Sequence, residues 1–279
     1  MKLLHQHYGK QRVRVMKIFR EGDIHTVREL AIGVAFEGDF ETSYTAGDNS
    51  KIVATDTVKN TVTALARDHL GPDTERYLAF LGHHFLNKYE QIAKVTVTST
   101  ERVWQRLVIA GQPHPHSFSA AQNAVPFVEV VVDSAGQTTH SGIDHLLVLK
   151  STASGFIDYP RCEFTTLPET TDRILATSLK ATWKWSLEPD SYVAANAKIL
   201  EAMLAPFATE YSPSAQTTLF QMGSAALLAC PEIGEIHIAM PNKHCLYVPL
   251  DKFGIENNNE IFLPTDEPHG QIEATIGRD

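Results

Sequence analysis

Asn242 and His244 stand two residues apart in the run Pro241-Asn242-Lys243-His244. On extended backbone such residues point the same way. An amide that both donates and accepts hydrogen bonds is thereby set beside an imidazole that can carry a proton near neutral pH. The pair suits proton handling on a small polar molecule, although an isolated Asn-Lys-His is by default a polar loop tip. The chain also has 13 histidines, among them His83-His84 and His114-x-His116. The first two are adjacent on a helical stretch and face different directions. The second two lie in Pro113-His114-Pro115-His116, which reads as a stiff loop. No Asp or Glu is spaced to complete a metal set with either pair, so no metal is expected. Flavin, nicotinamide and haem have no motif either: the chain lacks Gly-x-Gly-x-x-Gly and Cys-x-x-Cys-His.

The elements that must position these groups follow from periodicity. Runs at 235–240 and 245–250 flank the Pro-Asn step and predict a hairpin. Strands are expected at 12–19 and 29–36, where Leu30, Ile32, Val34 and Phe36 alternate with smaller or polar residues. A short helix capped by Asp56 follows, with Val58, Val62 and Leu65 on one face. A longer one is expected over 73–93, then strands at 95–107 and 125–133. The second half repeats the order, with strands at 143–150 and 181–186 and helices at 190–208 and 212–229. Each half reads strand, strand, helix, helix, strand, strand. The expected class is α+β: two tandem units, 1–136 and 137–279, each an antiparallel sheet with helices on one face.

Composition excludes several classes. Hydrophobic residues make up 43% and charged residues 20%, enough apolar material for a sizeable core. A net charge of -9 argues against nucleic-acid and membrane-surface partners. No apolar run is long enough for a signal peptide or a membrane span. Cys162, Cys230 and Cys245 have no metal-like spacing and suit a reducing interior. With no Ser-Lys-Leu ending, a cytoplasmic location is expected.

Six strings, taken together, carry a resemblance. They are Tyr8-Gly9-Lys10, Ile52-Val53-Ala54-Thr55-Asp56, Pro113 to Phe118, Val148 to Thr152, Asp172-Arg173-Ile174-Leu175 and Pro241 to His244. In order and spacing the chain resembles the urate oxidases (uricases), from about Tyr8 to Arg278. The resemblance implies the tunnelling fold, in which two-helix, four-strand units associate into a barrel around a tunnel. It implies a cofactor-independent oxidoreductase that converts urate, dioxygen and water to 5-hydroxyisourate and hydrogen peroxide. It also implies a homotetramer with sites shared between subunits. Other readings are a tunnelling-fold enzyme acting on a pterin or another purine, which typically anchors the ring with a glutamate, and a non-catalytic purine binder, which needs no proton relay.

The implied roles fall on residues with ordinary alternatives. Lys10, otherwise a surface charge, becomes half of a Lys-Thr pair whose other half is Thr55, supplied by a neighbouring subunit. His244 extends that proton relay, and Asn242 holds dioxygen or water above the substrate ring. Thr55 and its neighbour Asp56 also line the substrate site. Phe156, otherwise a core aromatic, offers a face to a flat ring. Arg173, otherwise a helical surface arginine, offers a bidentate fork to a planar anion. Gln216 can donate to and accept from an amide edge. Ala215 stands where the family often has Val or Leu, but its contact comes from the backbone N–H. That N–H lies in the first turn of a helix expected to begin at Ser212-Pro213, a turn suited to anions.

Overall fold

The computed structural model describes residues 1–121 and 123–278. They form two compact units, Met1–Gly142 with Lys184–Ala194, and Ile143–Trp183 with Ala195 onward. Both are α+β.

In the first unit β1 (Tyr8–Glu21) and β2 (Ile24–Gly38) pair antiparallel, joined at Gly22-Asp23. Leu30, Ile32, Val34 and Phe36 are all buried, as their alternation requires of a strand with one face on the core. After a short helix α1 (Glu41–Thr45) come α2 (Thr55–His69) and α3 (Thr74–Lys88). Val58, Val62 and Ala66 form the buried stripe of α2; Tyr77, Leu78, Leu81 and Phe85 form that of α3. The Tyr77 hydroxyl donates to Val62 O at 2.5 Å and ties the helices together. The sheet continues with β3 (Ile92–Arg102), β6 (Val125–Asp133) and β7 (Gly136–Lys150), in the order β1-β2-β3-β6-β7.

Two expectations fail here. The strand expected over 95–107 breaks after Arg102, and β4 (Trp104–Ile109) leaves the sheet to pair with β5 (Gln112–Ala120). Pro113 to His116 therefore lie in a strand and not in a loop. A two-stranded ribbon leaves each strand one unpaired side, where proline loses no ladder bond.

In the second unit β8 (Leu175–Trp185) buries Leu175, Thr177, Leu179, Ala181 and Trp183 on one face. It starts earlier than the expected 181. Helices α4 (Tyr192–Thr209) and α5 (Ala215–Ala229) bury Ile199, Met203, Phe207, Leu219 and Met222. Strands β9 (Ile233–Ala239), β10 (Asn242–Tyr247), β11 (Phe262–Gly270) and β12 (Glu273–Gly277) follow. The expected closing hairpin is absent. β9 pairs with β8 and β12, and β10 pairs with β8 and β11, so both lie against β8 and not against each other. Pro241 has no N–H for the ladder and interrupts what is otherwise a run along β8. No helix among the described residues is long and apolar enough to cross a membrane.

Candidate functional site

In the first unit the segment that carries Lys10 and the segment that carries Thr55 are held together by a hydrogen bond between their neighbours. Lys10 lies on β1 opposite Val34, just before a register break at which Arg12 takes a φ of 57°. Gly9 passes so close to β2 that a Cβ there would lie 1.9 Å from Val34 O. Only glycine permits that approach. Thr55 is the first residue of α2. Between the two segments the Tyr8 hydroxyl accepts a hydrogen bond from Val53 N at 2.8 Å. Tyr8 stands two residues before Lys10, and Val53 two before Thr55.

Electrostatics agrees with this placement. The Asp56 carboxyl is held below its ordinary range chiefly by a hydrogen bond from Lys59, and Lys10 adds a smaller lowering. Lys10 is thus within electrostatic reach of the residue next to Thr55. Both segments belong to one unit of the chain. Asp56 was also expected to cap α2. Ala54 holds the cap position without a side-chain bond, and the Asp56 carboxylate instead accepts from Lys59 and from Asn60 Nδ2 at 2.9 Å.

The second unit joins the irregular segment between β7 and β8 to the entry of α5. Phe156 N donates to Thr170 O at 2.7 Å, and Thr170 N returns a bond to Phe156 O at 3.1 Å. Gly155 N donates to Ser212 O at 2.8 Å, and Arg173 N donates to Ser154 O at 2.8 Å. These bonds set the Arg173 guanidinium 5.3 Å from the centroid of the Phe156 ring. Tyr159 stacks on the same ring at 4.7 Å. Burial lowers the Arg173 pKa, partly offset by Tyr211, and leaves Nε without a hydrogen-bond partner. A desolvated guanidinium with a free N–H is prepared for an anion. Arg173 precedes β8 and is not the helical residue of its default reading.

Ser214, not Ser212, caps α5, with its Oγ accepting from Thr217 N at 3.1 Å. Ala215 is buried as the first helical residue, and Gln216 is exposed beside it. Asn242 on β10 stands opposite Thr177 on β8 and Gly270 on β11. Arg173 and Asn242 are therefore carried to the same end of β8. His244 is half-buried on the same strand, opposite Thr265. Among the described residues no three His, Cys, Asp or Glu are placed to hold a metal ion.

Sequence reasoning passed over three residues here. Tyr8 was quoted only as part of a string. Ser154 and Thr177 are fully buried, and their hydroxyls have no partner. A buried hydroxyl without a partner is rare and calls for an explanation such as a ligand or a water. No local signal marks Thr177, because its place opposite Asn242 depends on a register between strands distant in sequence.

Comparison with known proteins gives the chain its family. The Uricase family profile matches residues 6–131 and 139–273. The chain is 40% identical to a uricase of Arthrobacter globiformis over 98% of its own length and 88% of the relative's. It is 38% identical to that of Cyberlindnera jadinii, over 97% and 95%. The crystal structure of the Arthrobacter globiformis uricase superposes with a TM-score of 0.95 at 39% identity, covering 100% of this chain and 96% of that one. A uricase from Bacillus fastidious superposes at 0.85 with 25% identity, covering 98% and 93%. With both units matched by the family profile and 40% identity over nearly the whole chain, the chain belongs to the uricase family.

Proposed function

We propose that the chain oxidises urate with dioxygen and water to 5-hydroxyisourate and hydrogen peroxide, using no metal or organic cofactor. The observation that carries this reading is the half-buried Arg173 guanidinium, its Nε buried without a hydrogen-bond partner, set 5.3 Å from the centroid of the Phe156 ring. Urate is flat, conjugated and mostly monoanionic at neutral pH. Its ring stacks on Phe156, and its anionic edge meets the Arg173 fork. The backbone N–H groups at the start of α5, with Gln216, take the opposite amide edge.

Lys10 and Thr55 remove a proton from the bound monoanion. The resulting dianion is electron-rich enough to pass two electrons to dioxygen. Asn242 holds dioxygen, and then water, over the ring, and His244 returns protons along the relay. Water adds to the oxidised ring, giving the hydroxylated product, and dioxygen leaves as hydrogen peroxide. The protein supplies orientation and proton transfer, and the substrate supplies the electrons.

Assembly follows from the sheet. β1 is paired on one side only, and an open edge is relieved when barrels close between copies. We infer a homotetramer whose sites draw residues from two chains, and, from three free cysteines, a reducing cytoplasmic setting.

The direct test mixes purified protein with urate in air and follows urate absorbance and peroxide. One peroxide per urate consumed is expected, before and after treatment with chelator. No urate loss overturns the reading. Activity that vanishes on chelation and returns with a metal overturns its cofactor-free part.

A further inference from the structure

We propose that Tyr8 is a positioning residue for the Lys10–Thr55 pair, acting through the main chain at Val53. The proposal rests on the roles given above to Lys10 and Thr55.

The geometry is specific. Tyr8 and Lys10 are two apart on β1, so they share a face of the strand. The Tyr8 hydroxyl accepts from Val53 N at 2.8 Å across a separation of 45 residues. Its ring cannot drift, because it packs edge-on against Phe40 at 4.8 Å and Phe36 at 5.7 Å, both fully buried. Burial raises the phenol pKa, so the hydroxyl stays protonated at neutral pH.

The receiving end needs such a hold. Residues 46–54 have no regular structure, and α2 begins without a side-chain cap. Helix entries are commonly fixed by a Ser, Thr, Asp or Asn at the cap position. Here Ala54 occupies it, and the Tyr8 hydroxyl binds the residue just before. The other end of α2 has its own clasp: Lys17 Nζ, further along β1, donates to Ala66 O at 3.2 Å, Arg67 O at 2.8 Å and Leu70 O at 2.6 Å. β1 thus holds the end of α2 through Lys17 and the segment leading into α2 through Tyr8, and of these two holds the Tyr8 one is nearer in sequence to Lys10 and Thr55. The Lys17 clasp is a built-in control for purely structural effects.

Tyr8→Phe keeps the packed ring and removes the hydroxyl. The expected result is a kcat lower by about tenfold, the upper range for one neutral hydrogen bond. Binding of a non-oxidisable xanthine should stay within about twofold of wild type, because no substrate contact is lost. In a Lys10→Met background, Tyr8→Phe should change residual turnover by less than about twofold, since a positioning group has nothing left to position. Lys17→Met should lower the thermal midpoint and leave kcat unchanged. Wild-type kcat in Tyr8→Phe overturns the proposal. So does an equal loss in the Lys10→Met background, or a loss of kcat in Lys17→Met matching that of Tyr8→Phe. Wild-type turnover in Lys10→Met itself overturns the role of the pair, and the Tyr8 proposal falls with it.

Discussion

The guanidinium of Arg173 lies 5.3 Å from the centroid of the Phe156 ring, and its Nε is buried without a hydrogen-bond partner. An anion that fits beside that ring gains a charge-assisted bond from a donor already stripped of water. Arg173→Ala should weaken urate and a non-oxidisable xanthine alike, by roughly 2–5 kcal/mol. Arg173→Lys should recover little, because an ammonium cannot form the planar fork. Calorimetric titration of the xanthine checks both. Unchanged affinity in folded Arg173→Ala would place the anion elsewhere.

Gly155 makes that arrangement possible. A Cβ there would lie 2.2 Å from the Tyr211 hydroxyl, 2.9 Å from Thr170 O and 3.2 Å from Thr171 Cα. Gly155→Ala should therefore push the segment that carries Phe156 away from residues 170 and 171. Crowding of this kind typically costs about 1–3 kcal/mol, and xanthine binding should fall with stability. Adding Tyr211→Phe removes the nearest clashing atom and should restore part of both losses. A double mutant no better than Gly155→Ala would make the backbone contacts, not the hydroxyl, the cause.

Alkaline stability should depend on Cys230. Burial, and then its bond to Glu232, push this thiol from 9.0 up to about 11. The folded chain keeps a proton that the unfolded chain releases. The contribution is complete below the unfolded value and is lost as pH rises toward the folded one. Urea midpoints should fall between pH 9 and about 11. Tyr192, raised by burial to about 12, extends the decline. Cys230→Ala will lower stability throughout but should flatten the first part of the slope. An unchanged slope would assign the decline to other groups.

The legibility of the chain divides along physical lines. The alternation of Leu30, Ile32, Val34 and Phe36, and the stripe of Val58 and Val62, come from single elements, and local periodicity is enough to place them. The path around Pro241 depended on which distant strand β10 would join, and two strand-like runs around a Pro-Asn step look the same whether they pair with each other or with a third strand. Pro113 to His116 read as a stiff loop, yet a two-stranded ribbon tolerates proline. For the site, Arg173, Phe156 and Lys10 were named through family resemblance because their default readings were ordinary, whereas Asn242 and His244 drew notice by their spacing alone. Tyr8 and Thr177 depend on contacts between segments far apart in sequence, and no motif describes such contacts.

Subunit mixing follows from the bond between Tyr8 and Val53. That bond, with the effect of Lys10 on Asp56, puts Lys10 and Thr55 on the same unit of one chain. Arg173 and Phe156 belong to the other unit. If sites are shared between copies, a whole chain contributes the Lys10–Thr55 side of a site and another contributes the Arg173 side. Mixed oligomers of Lys10→Met and Thr55→Ala would then hold no site with both relay residues intact, and activity should stay absent. Mixed oligomers of Lys10→Met and Arg173→Ala would behave differently. In each mixed pair one site takes its Lys10 and Thr55 from the second variant and its Arg173 from the first, and every group is wild type. Random mixing should restore about a quarter of all sites, as expected for two equivalent sites in a twofold pair. Activity measured after co-refolding, with mixed oligomers confirmed by mass, decides between the arrangements. Recovery in the first mixture would split Lys10 from Thr55 across an interface. Recovery in neither would place all three residues of a site on one chain, and the shared-site reading would fail.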